Sequence, residues 1–490
     1  MSTRHAATPA ILIALVTTIG YAQAPAGQEK PQAVVMKGKA PVSDTVLRVK
    51  LPRAQEAALS NGLKVLVLED HRAPQVTLQL IVRGAGGYYD PADHLGLAQF
   101  AAANLREGTA TRSSADIAEQ LERLSGTLTV TASMTGEDAT ISASALTENV
   151  DAVLDLMTDV LLNPQFADAE LQRYKAQTRA QLLQQRANPG FLAQERFSAA
   201  VAGSHPDGRM APAVDALDKT TREALVAFHR DRYIPDHGVI ALAGDISVAE
   251  AVKKLEPRLA AWKKRGTPEP RVADPEAVTK PGISLVARPN SVQTTLIVGT
   301  QAIRRTDPDF YALTVMNKVI GGGPTGRLFR HLREEKGYTY GAGSNVDAPR
   351  WAGTWLASTS VRNEVTEPAL MDLLDEIRQL REVRVPAKEF ADAKRSLVAA
   401  FALTLESPQT LLQNSITRWR YGLPADYWDR YADQIMAVTD ADAQAMAKKY
   451  LDPSRLQIVA VGNEEAVART LRKVGAVDVY DADGKKVRVY

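Results

Sequence analysis

The strongest constraint on the fold is a recurrence. Gln75-Val-Thr-Leu returns as Gln293-Thr-Thr-Leu, 218 positions later (293 − 75). Thr221 and Thr439, Pro235 and Pro453, and Gly244 and Gly462 keep the same spacing. Between the last two pairs, Val239-Ile-Ala-Leu-Ala matches Gln457-Ile-Val-Ala-Val, two short apolar runs that read as buried strands. Phe166-Ala-Asp-Ala is echoed by Phe390-Ala-Asp-Ala at a slightly longer spacing, which an indel explains. Separate anchors at one offset predict two similar halves of roughly 220 residues each.

The local pattern says what each half contains. Leu63–Glu69 and Val76–Val82 are rich in β-branched and aliphatic residues and read as strands, broken by Gly84-Ala-Gly-Gly87. Helices are expected over Leu95–Arg106 and Ile117–Leu124, then a hairpin from Thr127–Ser133 and Ala139–Ala145. Val150–Leu162, Ala169–Arg186 and Ala224–Tyr233 read as further helices before the strand Val239–Ala243. The expected class is therefore α+β, each half a β-sheet packed against a helical layer. Prolines at 268, 270, 275 and 281 among charged residues mark 263–281 as a stiff, solvated linker. The halves are then 45–262 and 282–480.

Composition removes several function classes. The chain has no cysteine, which excludes disulfides, thiolate metal sites and a cysteine nucleophile. Lys+Arg 59 against Asp+Glu 57 is too balanced to point to nucleic acid or an anionic membrane. Arg4 and His5 precede an apolar run from Ala10 to Ile19, followed by small-residue cleavage sites between 22 and 26. Residues 1–24 thus read as a secretory signal peptide, the apolar run being too short to span a bilayer. Residues 25–44 form an aperiodic lead-in, and the mature protein is expected to be periplasmic or secreted.

Chemistry concentrates in Gly321–Gly343, GGGPTGRLFRHLREEKGYTYGAG. Gly321, Gly322, Gly323 and Gly326 make a turn of unusual backbone freedom. Leu328, Phe329 and Leu332 have helical spacing with a charged outer face, Gly337 suits a helix stop, and Tyr338-Thr-Tyr340 alternates as a strand. A glycine stop between Arg333 and Tyr340 can fold both toward one cleft. This stretch resembles the second half of the insulinase/pitrilysin peptidases, the inverted zincins, where a Gly-rich turn, a Leu-Arg-x-x-x-Gly helix end and a Tyr seven residues after the Arg occur together. The resemblance covers about residues 45–480 and implies paired halves arranged as a clamshell. It also implies that Arg333 and Tyr340 bind substrate and stabilise the oxyanion, with the glycine turn helping to hold the peptide.

In that family the first half carries His-x-x-Glu-His on a helix after Gly-Leu-Ala, with a Glu ligand on a later helix. Here Gly96-Leu97-Ala98 is followed by Gln99-Phe-Ala-Ala102-Ala103. The metal-ligand positions hold Gln99 and Ala103, the general-base position holds Ala102, and the distant ligand position holds Gln181. Alanine has no donor atom, so this chain is expected to bind no metal. His71, His94, His205, His229, His237 and His331 show no metal-ligand spacing, and no Gly-x-Ser-x-Gly elbow is present. Part of the family works as heterodimers in which one subunit carries zinc and the other supplies Arg and Tyr. The resemblance thus implies the zinc-less subunit of such a pair, acting on peptides in trans with a zinc-bearing partner. The rival is a non-catalytic pseudoenzyme that binds peptides or scaffolds a complex.

Overall fold

The computed structural model describes residues 48–490, apart from 213 and 215, and these belong to one compact unit. The expected signal peptide and the whole of the lead-in lie outside the described residues. Two mixed sheets organise the chain. The first contains β1 (Gln55–Ala58), β2 (Lys64–Glu69), β3 (Gln75–Arg83), β4 (Thr127–Ala132), β5 (Asp138–Leu146) and β6 (Val239–Gly244), in the order β1-β2-β6-β3-β5-β4. The second contains β7 (Gly282–Ala287), β8 (Gln293–Gln301), β9 (Thr339–Asp347), β10 (Thr354–Arg362), β11 (Gln457–Gly462), β12 (Asp478–Tyr480) and β13 (Lys486–Val489). Its order is β13-β12-β7-β11-β8-β10-β9.

Without the outer strands β1, β12 and β13, the two orders are the same. The register repeats as well: Lys64 pairs with Val239 in parallel, and Gly282 pairs with Gln457 in parallel. All four of those residues obey the 218-residue spacing. The two-half α+β architecture read from the sequence is therefore the architecture observed. Two details differ. The second sheet runs past 480, because β13 pairs antiparallel with β12. The Phe-Ala-Asp-Ala echo is not a structural equivalence. Phe166 precedes its helix with φ 49, whereas Phe390 lies inside one that begins at Ala387.

The helices that matter for the site are α1 (Leu97–Leu105), α2 (Val150–Leu162), α3 (Asp168–Arg186), α4 (Pro189–Ala202), α5 (Phe310–Ile320), α6 (Thr366–Glu382), α7 (Ala387–Thr404) and α8 (Pro408–Tyr421). One face of each sheet is covered by helices of its own half. Phe100, Leu154 and Met157 pack on the first sheet, and Met316, Leu373 and Ile377 on the second. The other face is covered by a helix from the opposite half. Leu192, Phe197 and Val201 of α4 pack on Val286, Ile297, Val459 and Val461 of the second sheet. Leu412 and Ile416 of α8 pack on Leu66, Leu68, Ile81 and Val239 of the first. Coverage on both faces explains why β6 and β11 are continuously apolar instead of alternating.

The exchange fits closely. An ideal Cβ on Gly299 of β8 would lie 2.7 Å from the Phe197 ring and 2.5 Å from the Trp355 carbonyl. Glycine at this place lets an aromatic ring from one half lie against the backbone of the other. Phe197→Ala should destabilise the protein by about 3–5 kcal/mol, as deletion of a fully buried ring does. Urea unfolding followed by near-ultraviolet circular dichroism checks this. Loss of the second half's signal with the first half unaffected would contradict shared coverage.

Candidate functional site

The glycine turn follows α5 directly. Gly321 approaches β9 so closely that an ideal Cβ would lie 2.5 Å from the Ser344 nitrogen, and the Ser344 N–H donates to the Gly321 carbonyl at 2.9 Å. Gly323 has φ 112, a conformation a side chain would strain. The Lys318 Nζ donates to the Gly322 carbonyl at 2.6 Å, and burial holds that ammonium below its usual pKa. Gly326 closes the turn by donating to the Gly323 carbonyl at 2.9 Å. Gly321 and Gly323 face a groove of about 630 Å³, whereas Gly322 and Gly326 shape the turn behind it.

The helix expected after the turn is present but irregular. One α-turn, Arg327–Phe329, runs into a π-helix over Arg330–Glu335. Side chains pin this wider helix to its neighbours. Arg327 Nε donates to Glu389 of α7 at 2.8 Å, and His331 Nδ1 lies 3.0 Å from Glu376 of α6. The helix stops at Gly337 with φ 63, as its sequence position suggested. The widened turn presents Arg333 outward, with its guanidinium 4.6 Å from the Phe329 ring. Phe329 and Tyr340 line the groove, whereas Arg333 does not, so the two expected site residues do not share one wall.

Tyr340 stands in a second irregularity. Val361 of β10 pairs with Thr339 and Thr359 with Ala342, so β9 carries an extra residue opposite Ser360. The Thr339 hydroxyl fastens this bulge by donating to the Ser360 carbonyl at 2.8 Å. A bulge re-aims the side chains around it. Tyr340 is 90% exposed, although it lies on a sheet and lines the groove. Its hydroxyl and the Arg333 guanidinium have no hydrogen-bond or carboxylate partner among the described residues. Gly190 and Gln194 of α4 complete the opposite wall. The groove is therefore built by both halves, although no motif in the sequence marks α4 as part of it.

The zinc-family positions of the first half present different chemistry. Gly96, with φ 93, starts α1, and the buried Asp90 carboxylate accepts from the N–H groups of Gly96 at 2.7 Å and Ala98 at 2.8 Å. Burial raises the Asp90 pKa to about 6, against the opposing pull of those two hydrogen bonds. Ala102 is 1% exposed in the apolar core, Gln99 and Ala103 are half-buried, and Gln181 on α3 is exposed. Zinc takes thiolate, imidazole or carboxylate donors, so these four positions do not fit it. Among the described residues no group of three His, Asp or Glu could hold a metal. The histidines are engaged elsewhere: His94 meets the Lys219 carbonyl, His205 that of Ala273, His229 that of Leu161 and His237 that of Thr267.

Comparison with known proteins agrees with this architecture. The family model described as "Insulinase (Peptidase family M16)" matches residues 64–210, and "Peptidase M16 inactive domain" matches 219–397. The chain belongs to the insulinase family of peptidases. An uncharacterized zinc protease of Rickettsia felis is 27% identical over 342 residues, 69% of this chain and 81% of that one. One from Bacillus subtilis is 23% identical over 356 residues, 72% of this chain and 85% of that one. A solved peptidase M16 inactive domain from Pseudomonas fluorescens has a TM-score of 0.76 at 27% identity, covering 84% of this chain and 98% of that chain. A protease from Helicobacter pylori shares the fold, with a TM-score of 0.77 at 15% identity over 84% of this chain and all of that one.

The first-half positions make a direct prediction. Elemental analysis of the purified chain should find no stoichiometric zinc, even after incubation with excess zinc and desalting. One tightly held zinc per chain would mean that donors elsewhere than at 99, 102, 103 and 181 form a site.

Proposed function

We propose that this chain is the zinc-less subunit of an exported heterodimeric peptidase. It supplies Arg333 and Tyr340 to substrate bound beside the zinc of a second insulinase-family subunit. The observation that carries this reading is Tyr340, a tyrosine held 90% exposed by a β-bulge on the wall of a groove. Leaving a large aromatic ring in solvent forgoes the hydrophobic stabilisation of burying it, about 1.5–3 kcal/mol for a side chain of that size. A ligand that covers the ring would recover that energy.

The roles follow from the chemistry of the groups. The Tyr340 hydroxyl donates a hydrogen bond to negative charge that develops on the scissile carbonyl oxygen. Arg333 grips the same carbonyl before and during the reaction, its guanidinium kept in orientation by the Phe329 ring. Because β9 is an edge strand, its free backbone side can pair with an extended peptide, while Gly321 and Gly323 leave room for the peptide to approach. The zinc and the general base come from the partner, since the corresponding positions here have no suitable donors.

Reconstitution with the zinc-bearing partner tests this. Activity of the pair should far exceed that of either subunit alone. Tyr340→Phe should lower kcat by on the order of 10²–10³ with little change in KM, since the hydroxyl acts in the transition state. Arg333→Ala should raise KM as well. Neither change should shift the unfolding midpoint, because both side chains are exposed. Full activity of the Tyr340→Phe pair would leave a peptide-binding pseudoenzyme as the surviving account.

A further inference from the structure

A second cavity, of about 650 Å³, shares no lining residue with the Tyr340 groove. It is bounded by the start of β2, the end of β3, the linker and the C-terminal end of α8. Its lining holds five Lys or Arg residues (Lys64, Arg83, Lys264, Arg350 and Arg420) against two carboxylates, Asp236 and Glu269. Asp236 is already satisfied, because its carboxylate accepts from the backbone N–H groups of Arg265, Gly266 and Thr267.

The floor is an ionic network. Arg83 is 7% exposed, its guanidinium 4.3 Å from the Trp419 ring. It donates to Glu269 at 2.5 Å and to the Arg420 carbonyl at 3.4 Å. Arg420 meets Asp138 at 2.9 Å, and Arg350 joins Glu137 at 3.2 Å to Glu269 at 3.1 Å. Three arginines thus face three carboxylates and roughly cancel. Two features remain in excess. The buried Nε atoms of Arg83 and Arg420 have no hydrogen-bond partner, and Lys64 and Lys264 at the rim pair with no carboxylate among the described residues.

The internal repeat makes this cavity stand out. Gln301 of β8 stands 218 positions after Arg83 of β3 (301 − 83). There the space is closed: the Gln301 amide donates to the carbonyls of Val201 at 2.7 Å and Glu276 at 2.6 Å, and accepts from the Val278 N–H at 2.8 Å. Arg83 makes the corresponding reach to the end of α8, but beside it the cavity is open and positively charged.

We propose that this cavity binds an acidic stretch of polypeptide. The cations come from five separate places along the chain (β2, β3, the linker, the loop after β9, and α8). With the three arginines paired, Lys64 of β2 and Lys264 of the linker are the cations left to meet carboxylates of a ligand. The volume is in the range that holds a ligand of several residues. Trp419 and Tyr421 add apolar wall against which side-chain methylenes can pack.

Calorimetric titration of the full chain with tetraglutamate, tetralysine and inorganic phosphate tests this. Tetraglutamate should bind, tetralysine should not, and phosphate should bind much more weakly than tetraglutamate. The double variant Lys64→Gln/Lys264→Gln should bind tetraglutamate about 10-fold more weakly, the loss of two exposed charge pairs. Its unfolding midpoint should not move, because both lysines are exposed. No binding of tetraglutamate, equal binding of phosphate, or undiminished binding by the double variant would each overturn the proposal. Arg333 and Tyr340 take no part in the assay, so its outcome is independent of the catalytic reading.

Discussion

The structure depends on a reciprocal loan of helices. Each sheet has two apolar faces, and each half has enough helices of its own for one of them. Phe197 and its neighbours on α4 cover the second sheet, and Leu412 and Ile416 on α8 cover the first. Leaving either face bare would expose a contiguous apolar surface in the strands that are most continuously hydrophobic. The halves therefore cannot part without uncovering both sheets. Each lent helix also lines a cavity at its end: α4 starts at the groove wall with Gly190 and Gln194, and α8 ends at the basic cavity with Trp419 and Arg420.

Much of this was legible in the sequence because regular packing obeys periodicity. The 218-residue spacing held because the strands it marks are paired in the same register in both sheets. Val150–Leu162, with its helical spacing of Val153, Leu154 and Met157, came out at the expected bounds. The exchange of α4 and α8 was not legible, since an apolar face says only that it is buried and not against which sheet. The Phe166 echo misled for a related reason. Four matching letters carry no information about whether a residue sits before a helix or within it.

The residues of the candidate site stand out in the sequence, but their geometry does not. The sequence located Arg333, Gly337 and Tyr340, yet gave no sign that the first lies in a π-helix and the last in a β-bulge. Neither irregularity has a composition signature. Each is fixed by tertiary partners: Glu389 and Glu376 hold the wide helix, and the Thr339 hydroxyl holds the bulge to Ser360. Backbone irregularities of this kind turn side chains away from the packing they would otherwise join, which is how Tyr340 stays out of the core.

The same reasoning explains why a half without metal ligands keeps its full size. With alanine at 102 and 103, α1 becomes a plain core helix, and nothing of zinc chemistry constrains it. What constrains the first half is its role as a structural partner. Without it the second sheet would lose Leu192, Phe197 and Val201 from one face, and the Tyr340 groove would lose its opposite wall. The second half, which carries Arg333 and Tyr340, can hold them in place only while the first half covers its sheet. Loss of the metal-ligand residues therefore leaves the packing requirement untouched.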